Sequence, residues 1–225
     1  MNPQVACEES AAWVAASQLP FGNDEAQLHD HLDDLHDKLS LSVNLRRLEP
    51  CAHRLRVAQR SALRLLGDIS LTAVASTPIA GVIDDHYEAA MAVLQHGRID
   101  YRVGGRLWTA EAGRSAVFLP GEAMKVRTHH HIGVAYNLNP ALLARYLQEL
   151  ERSLALESAL LLLQRPWLID LRDPATGEPA RQLQLILRLL DGTSDLYPGV
   201  SILSLLQDRL YRVSAQLLLA SLRLR

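Results

Sequence analysis

Between residues 51 and 137 the sequence alternates and stops, over and over. "ISLTAVAS" sets Ile69, Leu71 and Ala73 at every second position, and "HRLRVAQ" does the same with Leu55 and Val57. A period of two puts such side chains on one face of an extended strand. Glycine closes the runs. His96-Gly97 ends "AAMAVLQ", Gly104-Gly105 separates "IDYRV" from "RLWTAE", and Ala112-Gly113 and Pro120-Gly121 follow. A Gly-Gly pair between two short runs predicts a tight hairpin, and the other pairs are turn signals. Many short strands joined in this way predict a small closed β-barrel or sandwich.

On both sides of this block the period changes to that of a helix. Across residues 24–40, Leu28, Leu32, Leu35 and Leu39 form one stripe, with Asn23 or Asp24 as the cap. Residues 1–20 carry no such pattern and are expected to be a flexible terminus. After residue 138, Asn139 is placed as an N-cap with Pro140 at the first helical position, where its missing N–H costs nothing. A second helix, "LALESALLLLQ", stops at Pro166; "DPATGEP" reads as a loop; "ARQLQLILRLLDG" reads as a third helix ending at Gly192. A loop, "SDLYPG", then leads to a last helix from about Ser201. Its stripe of Leu203, Leu206, Leu210, Val213 and Leu217 is spaced alternately by three and four residues. Such a seam packs against another helix, in the same chain or in a partner. The predicted organisation is therefore a terminus over 1–20, a helix and strand block over 21–137, and a helical segment over 138–225.

Composition excludes several classes. With 225 residues, 48% of them hydrophobic, the chain can bury one sizeable core. Its 23 basic and 25 acidic residues nearly cancel, so nothing in the overall charge points to a polyanion partner. The N-terminus lacks the basic and apolar regions of a signal peptide, and no run is long enough to span a bilayer. Cys7 and Cys51 are expected to be free thiols in a reducing, cytoplasmic setting.

Catalytic patterns are thin. No G-x-S-x-G elbow, phosphate loop or activated cysteine context occurs. The best metal pattern is His129 and His131, whose alternate spacing predicts one shared strand face, with His86, Glu88 and His96 as further donors. No carboxylate follows that pair at a suitable distance, and no histidine occurs after it. We therefore expect no catalytic residue, cofactor or metal; the alternatives are a metal-dependent cupin enzyme or a pure dimerisation module with a filled barrel.

The order of elements carries more. "LGDISLTAVASTP", then "HYEAAMAVLQHGRIDYRVGGRLWTAEAGRSAVFLPGE", then "HHHIGVAYNLNPALLARYLQEL" and the following helices resemble the effector-sensing domain of AraC-family transcription regulators. The resemblance implies an α+β fold: a cupin-like small β-barrel or jelly roll with an N-terminal helix and a C-terminal helical segment. It also implies a regulator that binds a small-molecule effector, pairs as a homodimer through a helix after the barrel, and reaches DNA only through a helix-turn-helix domain. No such reader follows Arg225 in this chain. The implied pocket residues are His86, Tyr101, Trp108, Phe118 and His131, with Tyr87 on the face opposite His86. Leu203, Leu206, Leu210, Val213 and Leu217 are the implied dimer seam.

Overall fold

A computed structural model describes residues 3–40, 43–51, 56–86, 88–191 and 200–222. Helix α1 (Pro3–Ala16) leads to strand β1 (Gln27–His29), helix α2 (Leu32–Ser40) and strands β2 (Leu45–Pro50), β3 (Gln59–Leu66), β4 (Ile69–Ser76) and β5 (Ile79–Ile83). Two strands of 15 residues, β6 (Ala89–Val103) and β9 (Met124–Leu138), enclose β7 (Arg106–Glu111) and β8 (Ser115–Leu119) in sequence. Helices α3 (Pro140–Leu150) and α4 (Leu156–Leu162), strand β10 (Trp167–Asp170), α5 (Pro174–Asp191) and α6 (Val200–Leu222) complete the chain.

All ten strands belong to one antiparallel sheet. The long pair β6–β9 is its spine. One half of β9 pairs with β4 and the other with β5, while β6 pairs with β7 and β8. The sheet does not close. Strands β1, β2 and β10 each pair on one side only, with β3, β5 and β8 respectively, and no ladder joins these edges. The predicted small β-barrel or jelly roll is thus corrected to a mixed α+β fold on an open ten-stranded sheet. The physical reason lies in how the sheet buries its faces. Helices α3 to α6 cover one face, so closure is not required to shield it.

That covered face holds the main core. Met91, Phe118, Tyr136 and Leu71 from the strands meet Leu143, Leu147, Leu187, Leu210 and Leu217 from the helices. The stripe on α6 lies inside this core. Leu206, Leu210, Val213 and Leu217 are buried and Leu203 packs against them, so the proposed dimer seam is intrachain packing instead. The sheet supplied an apolar face that needed covering, and α6 covers it. Polar ties fix the same helix. Tyr136 Oη and Ser214 Oγ are 3.1 Å apart, and Tyr211 Oη donates to Asp68 Oδ2 at 2.8 Å in the turn between β3 and β4.

Local chemistry explains several elements. Asn139 Oδ1 accepts from the N–H groups of Ala141 and Leu142, capping α3, and Pro140 follows. Val103 pairs with Arg106 across Gly104-Gly105, the two-residue hairpin that the glycines predict. Other readings are corrected. The stripe over 24–40 is split: residues 27–29 extend as β1, and only Leu32–Ser40 is helical, with Leu35 fully buried. Where a flexible terminus is expected, α1 is helical and buries Val14. "DPATGEP" is not a loop. Asp173 Oδ1 accepts from the N–H of Ala175, and α5 runs on through Gly177 and Pro179. Cys51 carries a free thiol. Gly192 with its following loop, Tyr87 and the Cys7 side chain lie outside the described residues. No helix among the described residues is long and apolar enough to cross a membrane.

Candidate functional site

The face of the sheet opposite the helices curls around a cavity of about 490 Å³. Strands β3, β4, β6 and β9 form its wall, and α2 with residues 43–48 lies across it. Most of the lining is apolar: Ile79, Ile83, Leu45, Met124, Val126 and Leu119 are representative. The volume falls in the range of small-molecule sites.

Two bulges decide which side chains face inward. On β9, Met124, Val126 and Thr128 line the cavity, and then His131, Ala135 and Asn137. The parity changes between Thr128 and His131. Gly97 pairs with His131 and Ile99 with Thr128, so two steps on β6 are matched by three on β9. A second shift runs the other way: Leu94 pairs with Gly133 and His96 with Ile132, leaving an extra residue on β6. This second bulge carries β6 from Ala90 and Ala92 to Tyr101 as cavity residues. Gly97 makes the crossing possible. Its φ is +76°, and a Cβ there would stand 1.8 Å from the carbonyl oxygen of His130. The expected strand end at His96-Gly97 is therefore a bulge within one continuous strand.

The same offset separates the three histidines. His129 is exposed, with Nε2 3.6 Å from Asp100 Oδ2. His130 faces the outer surface. Its ring meets Trp13 edge-on at 5.4 Å, and its Nε2 is 3.1 Å from Ser10 Oγ. Only His131 enters the cavity, so the predicted shared face of His129 and His131 is not formed. His96 also lies outside, against Trp13 at 5.6 Å. The candidate metal donors thus do not converge, and among the described residues no three His, Cys, Asp or Glu side chains gather as a metal site.

His131 is 3% exposed, and its Nδ1–H donates to the carbonyl oxygen of His129 at 2.9 Å. A carbonyl only accepts, so Nδ1 bears the proton and Nε2 of the neutral ring keeps its lone pair. Burial pulls the imidazole down from 6.5 to about 4, and the neighbouring His130 and His129 act in the same direction. The ring is therefore neutral near pH 7. Among the described residues no group bonds Nε2. Tyr101, 7% exposed, is the complement. Burial pushes its hydroxyl well above the usual range, so it keeps its proton, and among the described residues no group accepts from it. Gln59 occupies the same cross-strand row as His131, through Ser76. Thr128, by contrast, is engaged: its Oγ1 accepts from the N–H of Ile79 at 3.0 Å.

Of the pocket residues implied by the sequence, His86, Tyr101 and His131 line the cavity. His86 is held there by its N–H donating to the Gly121 carbonyl at 2.8 Å. Gly121 admits this close approach because a Cβ would stand 1.8 Å from the His86 carbonyl oxygen. Trp108 and Phe118 are not lining residues. Trp108 is the cross-strand partner of Tyr101 and packs beside it in a satellite cluster, with Nε1 buried and unbonded. Phe118 is fully buried on the opposite face, under the helices. Sequence reasoning missed Gln59, Ser61 and Met124; the polar alternation of Gln59 and Ser61 at the start of β3 was the available signal.

No protein-family model and no curated protein matches the sequence. Solved structures do. The AraC-like transcriptional activator CuxR superposes with a TM-score of 0.60 at 12% identity, covering 85% of this chain and 69% of that one. Two partial matches have a TM-score of 0.30: the cupin domain of an XRE-family transcriptional regulator from Enterobacter cloacae, at 10% identity over 35% of this chain and 93% of that one, and the Schizosaccharomyces pombe Cnp3 cupin domain, at 13% identity over 44% and 69%. At that level the cupin matches carry no weight. The likeness to the activator is one of fold: over most of its length this chain shares the fold of that structure.

Proposed function

We propose that this chain is a ligand-sensing domain of a transcription regulator, acting by binding and not by catalysis. The observation that carries the reading is the cavity, whose apolar wall is interrupted by the polar side chains of His131, Tyr101 and Gln59. Groups open to an apolar cavity in this way can pair with a ligand and orient it. The AraC-like fold supports the regulatory side of the reading.

Binding would act by linkage, favouring one arrangement of sheet and helices over another and so changing how an attached DNA-binding unit is presented. A route is built in. Strands β3 and β4 line the cavity, and their connecting turn holds Asp68, which accepts from Gln207 Nε2 at 2.6 Å as well as from Tyr211 on α6. Pairing of two copies through the buried α6 stripe forms no part of this reading.

Titration with the neutral dye Nile red tests the cavity, with Ala135→Trp as the variant that fills it. One-to-one binding in the wild type, lost in the variant while circular dichroism is unchanged, is the expected result. A wild-type protein that binds no dye, or a variant that binds it equally well, overturns the reading.

A further inference from the structure

The cavity also constrains what it can hold. We propose that it selects an uncharged, largely apolar molecule that donates a hydrogen bond from a hydroxyl to Nε2 of His131 and accepts one at a carbonyl from the Tyr101 hydroxyl. This rests on the sensing reading and adds the chemical class of the effector.

Three observations converge. First, an acceptor stands at one end and a hydroxyl proton at the other. The bond from Nδ1–H to the His129 carbonyl leaves His131 an acceptor, while Tyr101, buried and unpartnered, offers a proton. Second, the lining offers an acid no net formal charge. Glu25 and Lys38 are the lining side chains with formal charge; Glu25 is exposed and pairs with Arg64, and Lys38 Nζ donates to Gln27 at 3.3 Å. A carboxylate or phosphate drawn against the apolar wall would lose water and find no surplus cation to offset it. Third, the two groups stand apart. His131 pairs with Gly97, so four residues of β6, roughly 13 Å of strand, separate its level from Tyr101. A molecule with hydroxyl and carbonyl at opposite ends of a flat apolar body fits both the spacing and the volume.

A matched series of probes tests this: naphthalene, a naphthol with an acetyl group on the far ring, and the corresponding hydroxynaphthoate. Affinities are read by fluorescence at neutral pH in the wild type, His131→Phe and Tyr101→Phe. The expected result is that the acetyl naphthol binds about tenfold tighter than the naphthoate, and that each variant weakens the acetyl naphthol about fivefold while leaving naphthalene unchanged. NMR of isotope-labelled histidine gives a second readout on the wild type, independent of the variants' folding: the unprotonated Nε2 resonance of His131 should shift when the acetyl naphthol binds. Equal or tighter naphthoate binding, an unchanged Nε2 resonance with probe bound, or unaltered affinity in both variants overturns the proposal while the sensing cavity stands. Failure of every probe, naphthalene included, overturns both.

Discussion

His131 shows what a bulge and a closed environment do to one side chain. With the folded imidazole near 4 and the ordinary value at 6.5, the unfolded chain takes up a proton that the folded chain refuses. The contribution is fully present above pH 6.5 and is lost as pH falls toward 4, below which it changes no further. His131→Gln removes the titrating group. Its urea-unfolding free energy should therefore decline less steeply than that of the wild type across this window, and parallel curves would refute the assignment. At this scale the sequence was partly readable. Tyr101 and His131 stand out as large side chains with polar tips in a strand-rich block. Phe118 is as large, though without a polar tip, and lies on the other face, which no alternation could reveal: every residue of β8, Ser115 to Leu119, is buried.

At the level of elements, local chemistry was the readable part. The Asn139-Pro140 start of α3, the Gly104-Gly105 hairpin and the seam of α6 all act over a few residues. The bulges in β6 and β9 were not readable, because a period-two argument assumes an unbroken register, and one extra residue inverts every later position. The partner of the α6 seam was equally hidden, since spacing defines a stripe but not what covers it. That point is open to experiment. Leu210 is fully buried among strand and helix residues, so Leu210→Ala should cost about 2–5 kcal/mol in chemical denaturation. Leu210→Glu should abolish the folded state. A folded Leu210→Glu protein that merely sediments as a smaller species would return the seam to a dimer interface.

For the whole molecule, openness of the sheet follows from contacts distant in sequence. The turn signals that mark hairpins are the same in an open sheet and in a closed one, and the edges are settled by short strands with little signal. Strand β10 is the telling case. It lies among the helices, yet Trp167 to Asp170 pair with Phe118 to Ser115 on β8, and Trp167 and Ile169 join the main core. The sheet and the helical segment are thus one hydrophobic unit. A chain ending at residue 138 would bare the face around Met91, Phe118 and Tyr136 and leave β8 without its outer neighbour. It should be recovered mainly in the insoluble fraction; a soluble product with native-like amide exchange would contradict this. For engineering, β10 therefore sets the splice point. A chimera that exchanged the helices at the strand–helix junction would discard a strand of the sheet with them. The transplantable cassette runs from α1 through α6, and a new output module belongs beyond it.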